Sequence, residues 1–211
     1  RNILSLAKQG LIQKAKERPD YVAKFLMLVK TKGLKAALEV AKSKLETDIA
    51  LGYSSAGRVI EVGSDVEDFA PGNRVACAGQ NYASHAEYVW VPKNLAVKIP
   101  EGVRSEDAAF TTIGAIAMQG IRRAALTPGE SVAVVGTGLL GQIAIRILMA
   151  YGHPVIGFDI DAKKVEFAKE KSGLKKGVVL GTEDPLLAVE EMTDKRGVDA
   201  VLIYASAKSA D

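Results

Sequence analysis

Gly136-Thr-Gly138-Leu-Leu-Gly141 is where residue types and spacing in this chain could first do chemistry. Gly136 permits a sharp turn off a strand, and Gly138 lets backbone approach a pyrophosphate without a side chain in the way. Gly141 allows the next helix to pack closely on a sheet, and that helix's N-terminus offers N–H groups to an anion. About 20 residues on, at the end of Val155-Ile-Gly-Phe-Asp159, a carboxylate stands where it can accept from both hydroxyls of an adenosine ribose. Asp159 would also repel a 2′-phosphate, so the expected cofactor is NAD(H) rather than NADP(H).

Glycine spacing of this kind is weak evidence without the elements that must position it. Val132 to Val135 is β-branched and apolar, as a strand buried on both faces should be. A helix is expected from Leu139 to Tyr151, with Gln142 and Arg146 on its exposed side. Asp161 can cap a helix running through Ser172, with Val165 and Ala168 facing inward and Lys163, Lys164, Glu166, Lys169 and Glu170 in water. Gly177 to Leu180 reads as a short strand, Thr182 as the cap of a helix to about Thr193, and Val198 to Tyr204 as a fourth strand. Strands alternating with helices predict a doubly wound parallel α/β sheet. A full dinucleotide fold has about six strands, so the sequence reads as a piece of a longer protein.

Upstream the texture changes twice. Residues 2 to 47 are helical in period, with breaks at Pro19-Asp20 and Gly33. Their apolar stripes are Leu4, Ala7, Leu11 and Ala15; Val22, Phe25, Leu26 and Val29; and Leu34, Ala37, Leu38, Ala41 and Leu45. Residues 52 to 100 have β texture, with strands expected at Gly57–Gly63, Arg74–Cys77 and Tyr88–Val91 between Pro and Gly turns. From Ser105 the chain turns helical again and feeds the glycine loop through Pro128-Gly129.

Charge is uneven. Up to Asp48, eleven Lys and Arg face five Asp and Glu, whereas the remaining seventeen bases and twenty acids bring the whole chain to +3. The lysines are interleaved with alanines and leucines rather than aromatics. They read as the solvated face of helices docked on the barrel side or a partner subunit, and neither nucleic acid nor membrane is an expected partner. No apolar run approaches the ~18 residues of a spanning helix. Cys77 is the single cysteine. That excludes an internal disulfide framework and suits a reducing, cytoplasmic setting.

Residues 51 to 211 resemble the medium-chain dehydrogenase/reductase family. Gly52-Tyr-Ser-Ser-Ala-Gly57-Arg-Val-Ile-Glu-Val-Gly63 and Phe69-Ala-Pro-Gly72-Asn-Arg-Val75 are similar to its G-H-E-x-x-G-x-V…V-G…F-x-x-G-D-x-V segment. His85-Ala-Glu-Tyr88-Val with Pro92 resembles its F-A-E-Y-x-x-V-P stretch. Ala108-Ala-Phe and Met118-Gln-Gly-Ile121 fit its interdomain helices. The resemblance implies a partial GroES-like barrel over 51–125, a Rossmann NAD-binding domain over 126–211, and a helical insertion over 1–50. The lysine-rich helices are similar to those of bacterial bi-domain oxidoreductases of polysaccharide gene clusters. That likeness implies a fused second domain or a homo-oligomer.

Departures from the family pattern bear on the chemistry. Tyr53 stands where zinc members carry a histidine, Ser54 where they carry an acid, and Thr112 where they carry a cysteine. Tyrosine and threonine are not ordinary ligands for catalytic Zn²⁺, and His85 and His153 are too isolated to complete a set. The resemblance therefore implies a zinc-independent oxidoreductase acting on a small carbonyl/alcohol or enone substrate. Tyr53 would be the oxyanion donor, with Thr112 and Ser54 secondary. By the same alignment Lys164 reaches the ribose, Leu139 and Leu140 contact the cofactor, and Ala205 and Ser206 border the cleft. The competing reading is a non-catalytic NAD-binding or scaffold module.

Overall fold

The computed structural model describes residues 19–46 and 50–205. The chain divides into two compact units, Arg1–Ile49 and Ala50–Asp211. In the first, helix α1 (Pro19–Glu46) is interrupted at Gly33, whose φ of 82° and ψ of 162° no helix accommodates. The expected break at Gly33 is thus real. Ala37 is buried and Phe25, Val29 and Ala41 are half-buried, while Val22, Leu26, Leu34 and Leu38 are exposed. The stripe of Leu4, Ala7, Leu11 and Ala15, and the side chain of Leu45, lie outside the described residues.

The second unit contains an antiparallel sheet ordered β1-β2-β3 and a parallel sheet. Strand β1 (Ser54–Arg58) pairs with β2 (Arg74–Ala78) so that Ser54 faces Ala78 and Arg58 faces Arg74; β3 (Ala96–Lys98) lies on the far side of β2. The first strand therefore starts and ends earlier than the sequence predicts. Its ladder closes at the turn where Gly72 N–H donates to the Val59 carbonyl at 2.8 Å. The expected strand at Tyr88–Val91 is not one. That segment has no ladder partner among the described residues, and a strand without one leaves its backbone groups to water. Trp90, 76% exposed, instead lines an open groove of about 510 Å³ with Ile60, Val62, Phe69 and Tyr88.

Helices α2 (Ser105–Ala108) and α3 (Thr111–Ala124) lead to the parallel sheet. Its strands are β4 (Val132–Val135), β5 (Val155–Asp159), β6 (Lys176–Val179) and β7 (Ala200–Ile203), in the order β6-β5-β4-β7. Helices α4 (Leu139–Ala150), α5 (Ala162–Ser172) and α6 (Pro185–Thr193) make the crossovers. Alternation along β4 sends Val132 and Val134 into one core, with Ile145 and Leu148 of α4 and Ala168 of α5. Ala133 turns into the other, with Ile156, Phe158, Val178 and Ala188 of α6. Each fully buried Ile or Leu contributes about 1.5–3 kcal/mol relative to exposure. Together they fix the glycine loop at the carboxyl end of a rigid sheet.

Two caps test the local reading. Asp161 accepts from Lys163 N–H at 3.0 Å and caps α5, with Val165 and Ala168 buried, as the sequence predicts. The cap of α6 is Asp184, not Thr182: its carboxylate accepts from Leu186 N–H and Leu187 N–H, and Pro185 opens the helix. Proline suits that first position because its missing N–H would be unpaired there anyway. Thr182 donates its hydroxyl to the Val179 carbonyl instead.

Candidate functional site

The glycine loop begins where β4 ends. Gly136 N–H donates to the Phe158 carbonyl at 2.6 Å, holding the turn against β5. Gly136 has φ +95°, and a Cβ there would stand 2.6 Å from Ala205 N. A Cβ on Gly141 would stand 1.8 Å from the Gly136 carbonyl oxygen, so helix α4 passes its own loop at a distance only glycine allows. Gly138 differs. Its φ is −70°, and a Cβ on it would meet nothing within 4 Å. Its lack of a side chain serves no packing need within the described residues, and it leaves open the space that a pyrophosphate would take at the positive end of α4.

The loop is held from inside as well. Thr137 is fully buried, and its N–H donates to Asp159 Oδ2 at 2.9 Å. Gln142 Nε2 donates to the Thr137 carbonyl at 3.0 Å, and Gln142 N–H to the Gly138 carbonyl at 2.9 Å. Gln142 is therefore half-buried and structural rather than a solvated helix residue. Neither Thr137 nor Gln142 is singled out by the glycine pattern. A polar residue at the first turn of a helix entered by such a loop is the signal that could have found Gln142.

Asp159 is 7% exposed. Beside Thr137 N–H on Oδ2, its Oδ1 accepts from Asp161 N–H at 3.0 Å, and Lys164 Nζ approaches Oδ1 at 4.0 Å. The Thr137 hydroxyl also donates to Oδ2 at 3.4 Å. A carboxylate has about four lone-pair directions, so Oδ2 is taken from within while Oδ1 keeps one for an outside donor. Such an acceptor suits a ribose hydroxyl. Leu139 is exposed at the start of α4, whereas the Leu140 side chain packs on the core, which leaves Leu140 its backbone N–H to offer. Ala205 is exposed and abuts Gly136. Ser206 lies outside the described residues.

The second cluster sits on the antiparallel sheet. Ser54 Oγ donates to the Ala109 carbonyl at 2.6 Å, and Thr112 Oγ1 donates to the Cys77 carbonyl at 3.3 Å. Both hydroxyl protons are spent, Ser54 tying the end of α2 to β1 and Thr112 tying the start of α3 to β2. Among the described residues Tyr53, 43% exposed, is joined to the sheet only through its backbone, whose carbonyl accepts from Gly79 N–H at 2.9 Å. His85 N–H donates to the Leu51 carbonyl at 2.7 Å, and its ring occupies the side-chain space of Gly52: a Cβ there would stand 2.3 Å from the imidazole Cδ2. Gly52 also has φ +92°. The loop carrying Tyr53 is therefore fixed by a close approach that only glycine permits. Cys77 is buried on β2, where burial pushes its thiol above the ordinary cysteine range.

Tyr204 ties the two sheets' shared helix in place. Its hydroxyl donates to the Ala117 carbonyl at 2.8 Å, across α3 from β7, and burial raises the phenol above its ordinary range. His153 places Nδ1 2.9 Å from the Glu130 carbonyl, in the turn before β5. Among the described residues no group of three or more His, Cys, Asp or Glu is arranged to hold a metal ion. Nor is any helix among them long and apolar enough to cross a membrane.

Comparison with known proteins agrees with this layout. The alcohol dehydrogenase GroES-like domain family matches residues 29–101. An NAD-dependent alcohol dehydrogenase of Saccharolobus solfataricus is 30% identical over 183 residues, covering 73% of this chain and 52% of the relative. A quinone oxidoreductase of Pseudomonas syringae is 29% identical with a TM-score of 0.62, over 72% of this chain and 48% of that one. A quinone oxidoreductase of Escherichia coli, solved with NADPH, is 27% identical with a TM-score of 0.61, over 74% and 50%. The chain spans about half the length of the curated relatives it matches.

Proposed function

Since the chain belongs to the medium-chain dehydrogenase/reductase superfamily, we propose that it serves a zinc-independent, NAD(H)-dependent oxidoreductase acting on a carbonyl/alcohol or enone substrate. The carrying observation is the glycine loop: a Cβ on Gly138 would enter open space, while one on Gly141 would strike the loop's own backbone. The residues present fit a dinucleotide. First-turn N–H groups of Leu139 and Leu140 would face the pyrophosphate, and Asp159 would accept from a ribose hydroxyl with Lys164 beside it. When bound, the nicotinamide supplies or receives the hydride.

Asp159 supports NAD(H) over NADP(H), because a carboxylate held by two backbone N–H groups at the ribose position opposes a 2′-phosphate. Zinc independence is supported by the donor chemistry at Tyr53 and Thr112, the latter already bonded to Cys77. Tyr53 is left as the side-chain donor able to hold a substrate oxygen, and a phenol stabilises a developing oxyanion by hydrogen bonding. Placement among the bi-domain enzymes of polysaccharide clusters rests on the helical stretch alone.

The test is NADH oxidation by the full chain with 1,4-benzoquinone and, separately, with an aldehyde. Tyr53→Phe is expected to lower kcat by roughly 10²-fold with NADH affinity unchanged. Equal turnover by the variant would remove Tyr53 from the chemistry. NADH binding without turnover of either probe would favour the non-catalytic module, the reading suggested by the spent hydroxyls of Ser54 and Thr112.

A further inference from the structure

Glycine disfavours a helix interior, so a glycine there asks for a packing reason. Gly120, in the body of α3, has one. A Cβ on it would stand 2.5 Å from the Tyr204 hydroxyl oxygen, 3.2 Å from Cζ and 3.5 Å from Cε1. Tyr204 thus lays the tip of its ring across Gly120, and its hydroxyl donates to the Ala117 carbonyl of the same helix at 2.8 Å. We infer that Tyr204 is a positioning residue that passes the placement of α3 on to the glycine loop, with Gly120 as the socket that sets the spacing. The inference rests on the cofactor reading above and assigns Tyr204 no contact with the dinucleotide.

The backbone of Tyr204 is held as closely as its ring. Its N–H donates at 2.8 Å to the carbonyl of Val135, the last residue of β4. The Tyr204–Ala205 peptide lies against Gly136, where a Cβ would stand 2.9 Å from the Tyr204 carbonyl carbon and 2.6 Å from Ala205 N. Gly136 has little room to retreat, because its own N–H is bonded to the Phe158 carbonyl at 2.6 Å. Close-packed groups transmit a displacement rather than absorb it. At its other end α3 is tied to the antiparallel sheet, Thr112 Oγ1 donating to the Cys77 carbonyl at 3.3 Å. One helix is thus bonded to β2 at its first turn and, through Tyr204, braced against the glycine loop.

The full chain and its variants are titrated calorimetrically with NADH, well below their melting temperatures. Gly120→Ala sets a methyl against the hydroxyl and is expected to weaken binding roughly tenfold, within the range of coupling through packed side chains. Tyr204→Phe removes the bond to Ala117 and should weaken binding roughly two- to five-fold. With both substitutions the methyl meets a ring carbon at 3.2 Å in place of the hydroxyl. The double variant should therefore bind NADH about as Tyr204→Phe does, and more tightly than Gly120→Ala. Lost stability alone would move none of these affinities below the melt, nor let a second substitution restore one. Tyr204→Phe loses a single hydrogen bond and keeps the test open should Gly120→Ala not fold. Unchanged NADH affinity in Tyr204→Phe, or a double variant no tighter than Gly120→Ala, would overturn the inference and leave the cofactor reading intact. Failure of the unsubstituted chain to bind NADH would overturn both.

Discussion

The carboxyl end of the parallel sheet and the exposed end of the antiparallel sheet hold their functional groups in opposite ways. At the first, backbone does most of the work: Gly136, Gly141 and Thr137 are locked to one another and to Asp159 before any ligand arrives. At the second, hydroxyl side chains act as fasteners. Ser54 ties the end of α2 and Thr112 the start of α3 to the sheet, and of the three Tyr53 alone keeps its side chain free of a protein hydrogen bond among the described residues. On the proposed function, cofactor binding is thus built into the fold's geometry, whereas the chemistry would hang on Tyr53. A site of the first kind tolerates almost no change, and one of the second kind can lose its chemistry while keeping its shape.

Gly141→Ala should show the largest effect. A methyl 1.8 Å from the Gly136 carbonyl oxygen forces helix and loop apart. Overpacking of this kind costs typically about 1–3 kcal/mol and more against rigid backbone, so urea melts should show a loss at or above ~3 kcal/mol. A near-neutral melt would mean that the loop is not the fixed element described above. On the antiparallel side, Thr112→Val should cost about 1 kcal/mol, the net worth of one hydrogen bond, and leave NADH affinity unaltered. Turnover lost with no change in stability would instead make Thr112 a catalytic group and erase the contrast between the two ends.

The smallest expected effect lies at the opposite end of the parallel sheet. Asp199 accepts from Ser131 N–H at 2.7 Å and from Ser131 Oγ at 2.9 Å, and these bonds hold its carboxyl below the ordinary value of 3.8. A depressed pKa contributes stability that is present above the unfolded value and lost as pH falls through the folded one. Asp199→Asn should therefore melt slightly below the unsubstituted chain near neutral pH, with the gap closing below about pH 4. A gap that holds constant into acid would show that the bonds do not depend on the carboxylate's charge.

What the sequence made legible follows the same division. Val132–Val135, the glycine loop, Asp159 and the Asp161 cap are written in contiguous residues, because turn chemistry, strand burial and capping act over a few positions. The antiparallel end is written across long separations. Ser54 finds Ala109 55 residues away, and Thr112 finds Cys77 across 35. No local pattern announces those bonds. Tyr88–Val91 has strand composition without a partner, while Ala96–Lys98, only three residues long, becomes a strand because β2 offers it an edge. The shift from Thr182 to Asp184 came from two plausible caps within one turn, decided by Pro185.

Gly138→Ala tests the central claim most directly, because in the described structure its methyl would meet nothing within 4 Å and its φ of −70° suits alanine. The variant should melt like the unsubstituted chain. Titrated with NADH, it should bind at least about tenfold more weakly, roughly 1.4 kcal/mol, while the unsubstituted chain binds NADH more tightly than NADPH. Equal NADH affinity in the two chains would contradict the account, since the space beside Gly138 would then not be where the dinucleotide lies.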